Sequence, residues 1–423
     1  MPHYPYLLQS MTNTDTNDIE ATVAQIIALV EAGADMVRVA VPGLKEVEVL
    51  QKIKSCLLNK NITVPLVADV HFLPEVAEKV ACFVEKVRIN PGNFSPDSFE
   101  SMSLRAKTLF EVCKQHNTRI RVGVNQGSLS NRMIDKYGNT SVALVESALE
   151  WLNIAEIYDY HNIVFSIKSS HVKTMMEANW LLYKKMKAMD KIYPLHLGVT
   201  EAANEMEGRV KSAIGIGGLL LHEIGSTFRV SLTENPVHEI LFSKWLVDAI
   251  HDVKKNNYDT FEDGVLHIHY PEKNIEKWWG GVGALIGKWW LKEHLKDIVI
   301  QNTYFDDAEI ERLRNGVLQI CGIKRTHTEI IACPSCGRTR YDIQAVLSEV
   351  KQQFAHYPHL KIAVMGCVVN GPGEMADADF GIIGSANNKV AVYKGKERIS
   401  AFVSVKEALI ILQEVIIQYH AAV

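Results

Sequence analysis

From residue 5 to about 235 the chain alternates short, nearly unbroken apolar runs with longer stretches of helical periodicity. Eight apolar runs stand out, at 6–11, 36–41, 66–71, 86–90, 119–125, 163–169, 195–200 and 228–233. Between the first two, Val23, Ile26, Ile27 and Val30 share one helical face, and Gly33 stands where a helix would stop. Strands that are apolar on both faces, each followed by a helix, predict a parallel sheet covered on both sides. Eight such units in this length predict an α/β fold of the closed (β/α)8 TIM-barrel type rather than an open doubly wound sheet.

Past residue 250 the pattern changes. Lys254-Lys255-Asn256-Asn257-Tyr258 reads as a surface linker. A strand at 265–269, a helix flanked by Trp278, Trp279, Trp289 and Trp290, and a strand at 297–301 predict a small βα fragment. The apolar stretch in that helix has about half the length a membrane span needs, so it reads as a buried crossover helix. From 326 on, a strand leads into Cys333, a helix covers 343–354, and a strand at 362–367 ends on Cys367. A hairpin over about 380–393, turning at Ala386-Asn387-Asn388, precedes a closing helix with Val405, Ala408, Leu409, Leu412, Val415 and Ile416 inside. The expected division is a barrel over 1–250, a connecting segment over 251–325 and a C-terminal α+β domain over 326–423.

Composition narrows the class. With 47% hydrophobic and 22% charged residues the chain is globular, and a net charge of −4 gives no support for nucleic acid or anionic membrane as a partner. Seven cysteines, unevenly placed and with no secretory signal ahead of them, predict a reducing, cytoplasmic setting. Cys56, Cys82, Cys113 and Cys321 read as structural, the first three as buried apolar residues.

The other three cysteines carry the candidate chemistry. Cys333 and Cys336 are spaced C-x-x-C, and Cys367 follows thirty-one residues later in Gly366-Cys367-Val368-Val369-Asn370-Gly371-Pro372-Gly373-Glu374. Three thiolates with an exchangeable oxygen ligand, for which Glu374 is the candidate, suit a reactive iron–sulfur cluster. Spacing alone leaves a zinc clip and a thiol redox pair open. At the ends of the predicted barrel strands stand Asn13, Arg38, Asp69 with His71, Arg88 with Asn93, Arg121 with Asn125 and Ser128, Lys168, His196 with Thr200 and Glu201, and Arg229 with Ser231. That rim is where a barrel builds its active site. Four arginines and a lysine converging there predict an anionic ligand such as a diphosphate, with one or two of them paired to Asp69 and Glu201. Lys211 and Ser212 are a weaker candidate for a phosphate contact at a helix start, and Gly215-Ile216-Gly217-Gly218 lies in a helical pattern and is discounted as a dinucleotide loop.

Both cysteine motifs resemble those of the 4-hydroxy-3-methylbut-2-en-1-yl diphosphate synthase family. So do Gln9-Ser10-Met11-Thr12-Asn13-Thr14, Val67-Ala68-Asp69-Val70-His71-Phe72, Arg88-Ile89-Asn90-Pro91-Gly92-Asn93, Arg121-Val122-Gly123-Val124-Asn125 and His196-Leu197-Gly198-Val199-Thr200-Glu201-Ala202. The resemblance covers about 1–250 and 326–423. It implies reductive opening of 2-C-methyl-D-erythritol 2,4-cyclodiphosphate, with electrons from ferredoxin or flavodoxin. It implies a [4Fe–4S] cluster on Cys333, Cys336, Cys367 and Glu374. On the barrel it implies Arg38, Arg88, Arg121, Lys168, Arg229, His71, Asn125 and Ser231 as diphosphate ligands, with Asn370 beside the substrate. Asp69, His71 and Glu201 are the expected proton donors, Glu201 foremost, with Glu374 serving catalysis as well as the cluster. Two departures stand out. The chain begins almost at the Gln-Ser-Met motif, and only about 75 residues stand where plant-like members carry a large insert. A homodimer in which each cluster domain caps its partner's barrel, a chain that closes on itself, and a non-redox barrel resembling pterin-binding synthases with a structural zinc all stay open, as does a remnant that no longer closes.

Overall fold

The computed structural model of this 423-residue chain describes residues 6–94, 98–339, 341–368, 371–375, 378–385 and 388–421. Strands β1 (Leu7–Met11), β2 (Met36–Ala40), β3 (Leu66–Asp69), β4 (Lys86–Ile89), β5 (Arg119–Asn125), β6 (Ile163–Lys168), β7 (His196–Leu197) and β8 (Thr227–Phe228) form one parallel sheet, ordered β6-β5-β4-β3-β2-β1-β8-β7. A bridge from Phe165 to Leu195 joins β6 to the start of β7 and closes the ring. The first helix, Ile19–Ala32, ends at Gly33 with φ of 105°, a conformation that a residue without Cβ adopts at little cost. Three strands are shorter than their apolar runs by two residues or more. After Asp69, Leu197 and Phe228 the chain leaves the ladder and turns polar side chains into the mouth.

The barrel interior is unusual in being polar through its depth, where branched apolar side chains ordinarily fill the layers. Gln9, Lys86, Arg121 and His196 are all buried there. Lys86 is 5% exposed, and the hydrogen-bond partner of its Nζ is the Met36 thioether at 3.4 Å. Burial, helped by Arg121 and Arg119, pushes its pKa from 10.5 down to about 7. Because the folded pKa lies below the unfolded one, the unfolded chain binds more protons between those values, and stability rises with pH across that window. Lys86→Met is therefore expected to stabilise the protein by on the order of a few kcal/mol at pH 7, and by less as pH approaches 10. Urea unfolding at the two pH values checks this, and equal gains at both would contradict it.

Segment 256–325 adds β9 (Asp259–Glu262), β10 (Val265–His269) and β11 (Asp297–Gln301). β10 and β11 pair in parallel through the tryptophan-flanked helix Ile275–Trp290, as the βα pattern predicts, while β9 pairs antiparallel to β10. The sequence reading missed β9 and the amphipathic helix Asp307–Ile320. Lys254 and Lys255 belong to the last turn of helix Pro236–Lys255 rather than to a linker. The tryptophan helix packs backbone to backbone on the run 205–221, where a Cβ on Gly287 would overlap the Ile214 carbonyl and one on Gly218 would sit 2.6 Å from the Gly287 carbonyl carbon. Gly215-Ile216-Gly217-Gly218 is thus a packing surface, wound as a π-turn at Ala213–Gly217. Lys211 stands inside that helical run with Nζ 2.7 Å from Glu207, and Ser212 is buried beside it, so neither sits at a helix start facing a phosphate. This segment shares one continuous apolar core with the barrel.

The C-terminal unit has cores of its own. Its strands β12 (Glu329–Ala332), β13 (Lys361–Met365), β14 (Phe380–Gly384) and β15 (Lys389–Lys394) run parallel, parallel and then antiparallel, with helices Ile343–Phe354 and Val405–Ala421 packed against them. Ala386 and Asn387 of the expected hairpin turn lie outside the described residues, and Asn388 has φ of 56°. Cys113 is buried and Cys56 and Cys321 half-buried, but Cys82 is exposed, because it lies one residue past helix Pro74–Ala81 on its outer end. Among the described residues no helix is long and apolar enough to cross a membrane.

Candidate active site

The C-terminal unit sits on the barrel's C-terminal mouth in its own chain. Loops after six of the eight strands meet it. Gly337 packs so tightly that a Cβ there would lie 2.8 Å from the Thr14 carbonyl, and one on Gly373 would overlap the Gly127 carbonyl. Arg338 donates from Nη1 to an Asp69 carboxylate oxygen and from Nη2 to the Asp69 carbonyl, each at 2.9 Å. Lys361 Nζ lies 3.2 Å from His171, and Gln344 donates to the Thr233 carbonyl. The Ala332 N–H donates to the Glu201 carbonyl at 3.3 Å, and Ala202 and Ala332 bridge in parallel, so β12 extends the barrel rim.

What this closure covers is a cavity of about 80 Å³ lined by Met11, Arg38, Asp69, His71, Arg88, Asn125, Lys168, Thr200, Glu201, Arg229, Ser231, Cys333, Pro334, Ser335, Cys336 and Arg338. At a liquid share of ~30 Å³ per molecule it has room for a few waters, so the loops must part to admit anything larger. Larger hollows exist, one of about 380 Å³ on the open face of the three-stranded sheet, but that one gathers no such set of charged groups among the described residues.

Of the predicted rim residues, Arg38, Asp69, His71, Arg88, Asn125, Lys168, Thr200, Glu201, Arg229 and Ser231 line this cavity, whereas Asn13, Asn93, Arg121, Ser128 and His196 do not. Their pairing is uneven. Arg229 is clamped by Glu239 from helix Pro236–Lys255, Nε to Oε2 at 2.9 Å and Nη2 to Oε1 at 2.8 Å, while Ser10 Oγ donates to the same carboxylate at 2.7 Å. Arg88 donates to Asp69 at 3.2 Å and to the Gly123 carbonyl at 3.0 Å. Gly123 is required at its position, since a Cβ there would overlap Arg88 Nε. Arg38 reaches only as far as Met11 Sδ at 2.9 Å, and Arg121, which lies beneath the cavity and does not line it, donates to Gln9 Oε1 at 2.9 Å. Among the described residues, Arg38, Arg121 and Lys168 have no carboxylate within ion-pair distance. Burial and mutual repulsion depress all three, with Arg38 at about 10, partly restored by Asp69. A site that tolerates this cost is built for an anion.

The acids and the histidine differ sharply. Burial raises the Asp69 carboxyl, but Arg38, His71, Arg88 and Arg338 outweigh it and hold the group well below the usual range. His71 is pushed down to about 3, first by burial and then by Arg88. Its Nε2 faces an Arg88 N–H and must accept, which leaves the proton on Nδ1, and that atom has no protein partner. Glu201, held at φ of 52°, is pushed up to about 7 chiefly by burial, and its Oε2 is likewise unpartnered.

Cys333, Cys336 and Cys367 are half-buried at this seam, none of them in a disulfide. Burial raises the Cys333 thiol far above its usual value, and Cys336, Cys367 and Glu201 add to that, so the sulfurs and the carboxylate crowd one place. Arg338 Nη1 stands 3.9 Å from Cys336 Sγ. No three described His, Cys, Asp or Glu side chains are gathered around a single-ion position. Residues 371–374 form a short helical turn; the Glu374 side chain and Asn370 lie outside what the structure describes. Two functional residues escaped the sequence reading. Glu239 follows Asn235-Pro236 by helix-start spacing and looks like an ordinary first-turn acid, and Arg338 follows Cys336-Gly337 directly.

The comparisons with known proteins agree with this geometry. Residues 3–244 match the GcpE TIM-barrel domain, and residues 329–418 match the GcpE protein C-terminal domain. A 4-hydroxy-3-methylbut-2-en-1-yl diphosphate synthase (ferredoxin) from Gloeothece citriformis is 38% identical, with 94% of this chain and 84% of that one covered. The flavodoxin-named synthases of Chlamydia muridarum and Protochlamydia amoebophila are 33% and 30% identical, covering 95% and 93% of this chain and 92% and 90% of theirs. The last alignment runs over 591 positions against a chain of 423, so that relative carries stretches with no counterpart here.

Proposed function

The chain belongs to the family of 4-hydroxy-3-methylbut-2-en-1-yl diphosphate synthases, and from that membership we propose how its own residues divide the work. The enzyme is an oxidoreductase of non-mevalonate isoprenoid biosynthesis that reductively opens 2-C-methyl-D-erythritol 2,4-cyclodiphosphate with loss of water. The observation that carries our reading is the meeting of under-neutralised cations and the cysteine loop in one cavity of one chain. We assign 1–250 to substrate binding, 251–325 to buttressing the barrel and 326–423 to the cluster. All the described groups come from a single chain, which we take as the catalytic unit whatever its assembly.

Arg38, Arg88, Lys168 and Arg229 grip the two phosphates, with His71, Asn125 and Ser231 as neutral donors and Arg121 adding field from beneath; Asn370 stays a substrate contact by family resemblance alone. His71 gives its Nδ1–H to a phosphate oxygen. Asp69 is a poor proton donor, because its carboxylate is committed to Arg88 and Arg338; it keeps those cations in place. Glu201 is the proton donor, an acid poised near neutrality and facing the cysteines. Cys333, Cys336 and Cys367, with Glu374 as the fourth ligand, are the residues that would hold a [4Fe–4S] cluster. When bound, such a cluster delivers electrons one at a time to the substrate, drawn from a ferredoxin or flavodoxin of the kind named for the relatives. The C-terminal unit over the mouth limits bulk water around the substrate.

Iron-loaded enzyme given the cyclodiphosphate and a reduced carrier is expected to form the linear diphosphate, followed by phosphorus NMR. Iron-loaded protein that forms none would overturn the assignment. Glu201→Gln is expected to lower kcat by ~10²–10³-fold while the substrate dissociation constant moves by less than about threefold. A variant that keeps full kcat would remove Glu201 from the proton-donor role.

A further inference from the structure

The C-terminal unit covers the mouth of the barrel and leaves room there for only a few waters, yet the reaction consumes protons. Among the described residues the barrel's other end carries no such cover. There, at the N-terminal ends of β1 to β5, lies a cavity of about 490 Å³ lined by Met36, Glu85, Lys86, Arg119 and Asn162 among others. Between the two runs a column of polar side chains. Alternation along β4 and β5 puts Lys86 on the same side as Arg88, and Arg119 on the same side as Arg121. Lys86 is close enough to Arg121 to be repelled by it, and His196 is similarly close to Lys86, Arg121, Lys168 and Arg38. Along this column Gln9 Nε2, Arg121 Nε and His196 Nε2 are buried without a protein partner. Three such orphans in one barrel axis call for water, since a buried polar atom without a hydrogen bond is costly. His196 is oriented by Thr227, whose Oγ1 lies 2.6 Å from Nδ1, which turns the orphaned Nε2 to the other side of the ring. The carboxylates at the basal end are otherwise engaged: Asp35 accepts the Leu8 N–H at 2.7 Å, and Glu85 accepts the Leu66 N–H at 2.8 Å and binds Lys54 at 2.6 Å. Lys86 therefore faces Arg119 and Arg121 with no described acid as its ion-pair partner.

We propose that a file of waters along the barrel axis, entered past Lys86 and continued by His196 to Lys168, supplies protons to the covered active site. The inference rests on the reaction assigned above. In that reaction one carbon–oxygen bond to phosphate and one carbon–hydroxyl bond break, and a carbon–carbon double bond forms. Two electrons come from the reduced carrier; one proton leaves in the water, and a second goes to the freed phosphate oxygen. Lys86 passes protons from the basal solvent, which an arginine at the same place does not do.

Lys86→Ala in the iron-loaded enzyme tests this. The expected result is a kcat ~10-fold or more lower, an enlarged solvent isotope effect, an unchanged substrate dissociation constant, and recovery of kcat with added ethylamine, which fits the basal cavity. Lys86→Arg is expected to be as slow as Lys86→Ala while melting like the parent. Full kcat in either variant, or a loss that ethylamine does not reverse, would overturn the route. A crystal structure of the parent provides a readout independent of turnover: ordered waters against Gln9 Nε2, Arg121 Nε and His196 Nε2 are expected, and a dry axis would overturn the route even if kinetics agreed. An inactive, iron-loaded parent would instead sink the reaction assignment.

Discussion

Cys367→Ser is expected to cost at least ~10³-fold in turnover and to cut bound iron after anaerobic reconstitution, while the melting temperature of the iron-free chain stays within a few degrees of the parent. The residue lies two positions past the end of β13, which stops at Met365 rather than on the cysteine as its apolar run suggests, and its sulfur is one of those that raise the Cys333 thiol. A serine hydroxyl keeps its proton at neutral pH and is a hard donor where iron–sulfur chemistry wants a soft thiolate. Substitution therefore removes a ligand without opening a void. Cys82→Ser is the matched control, since Cys82 is exposed on the outside of the barrel and is expected to change neither iron nor rate. If Cys367→Ser kept its iron and its turnover, Cys367 would not be a ligand.

Lys168→Met is expected to act with opposite signs on two measurements. The Lys168 ammonium is pushed down by burial and then by Arg38, Arg121, Arg229 and Arg88, and no described carboxylate lies within ion-pair distance of it. Removing it should stabilise the ligand-free protein by on the order of 1–3 kcal/mol, because a buried, repelled charge is lost and the alkyl stem is kept. It should weaken the cyclodiphosphate by ~10- to 150-fold, the value of one charge-assisted contact of ~1.5–3 kcal/mol. Arg229 offers the contrast. Glu239 clamps it through two hydrogen bonds, so Arg229→Met strands a buried carboxylate and is expected to destabilise the fold. Thermal unfolding and calorimetric titration of both variants decide the matter. Lys168→Met that loses stability and keeps affinity would mean the lysine is structural.

How much of this was legible in the residues follows from where the signal is local. The eight barrel strands read clearly because strands buried on both faces give continuous apolar runs, and β5 appears with the bounds its run suggests. The rim arginines read as a set because each stands as a cation inside such an apolar run, which is also why Arg121, third of seven in its run, was not told apart as lying beneath the cavity. Glu239 did not read, because its partner Arg229 is brought to it only when β8 and the following helix fold against each other. β9 was missed because its Asp259-Thr260-Phe261-Glu262 is too short and too polar to show alternation, and it exists as an edge strand laid on β10. Gly215-Ile216-Gly217-Gly218 resembled part of a phosphate loop because close approach to a helix and close approach to an anion select the same residue. The closure of the cysteine unit onto its own barrel is invisible in sequence, since it depends on contacts such as Arg338 with Asp69, 269 positions apart.

The measurement that bears most directly on the whole account is pulsed electron paramagnetic resonance on anaerobically reconstituted, reduced enzyme with saturating cyclodiphosphate. We expect an iron–sulfur signal carrying a phosphorus-31 hyperfine coupling, because the cationic cradle and the three cysteines line or adjoin one cavity. An iron–sulfur signal with no phosphorus coupling at saturation, or no such signal and zinc in its place, would contradict it.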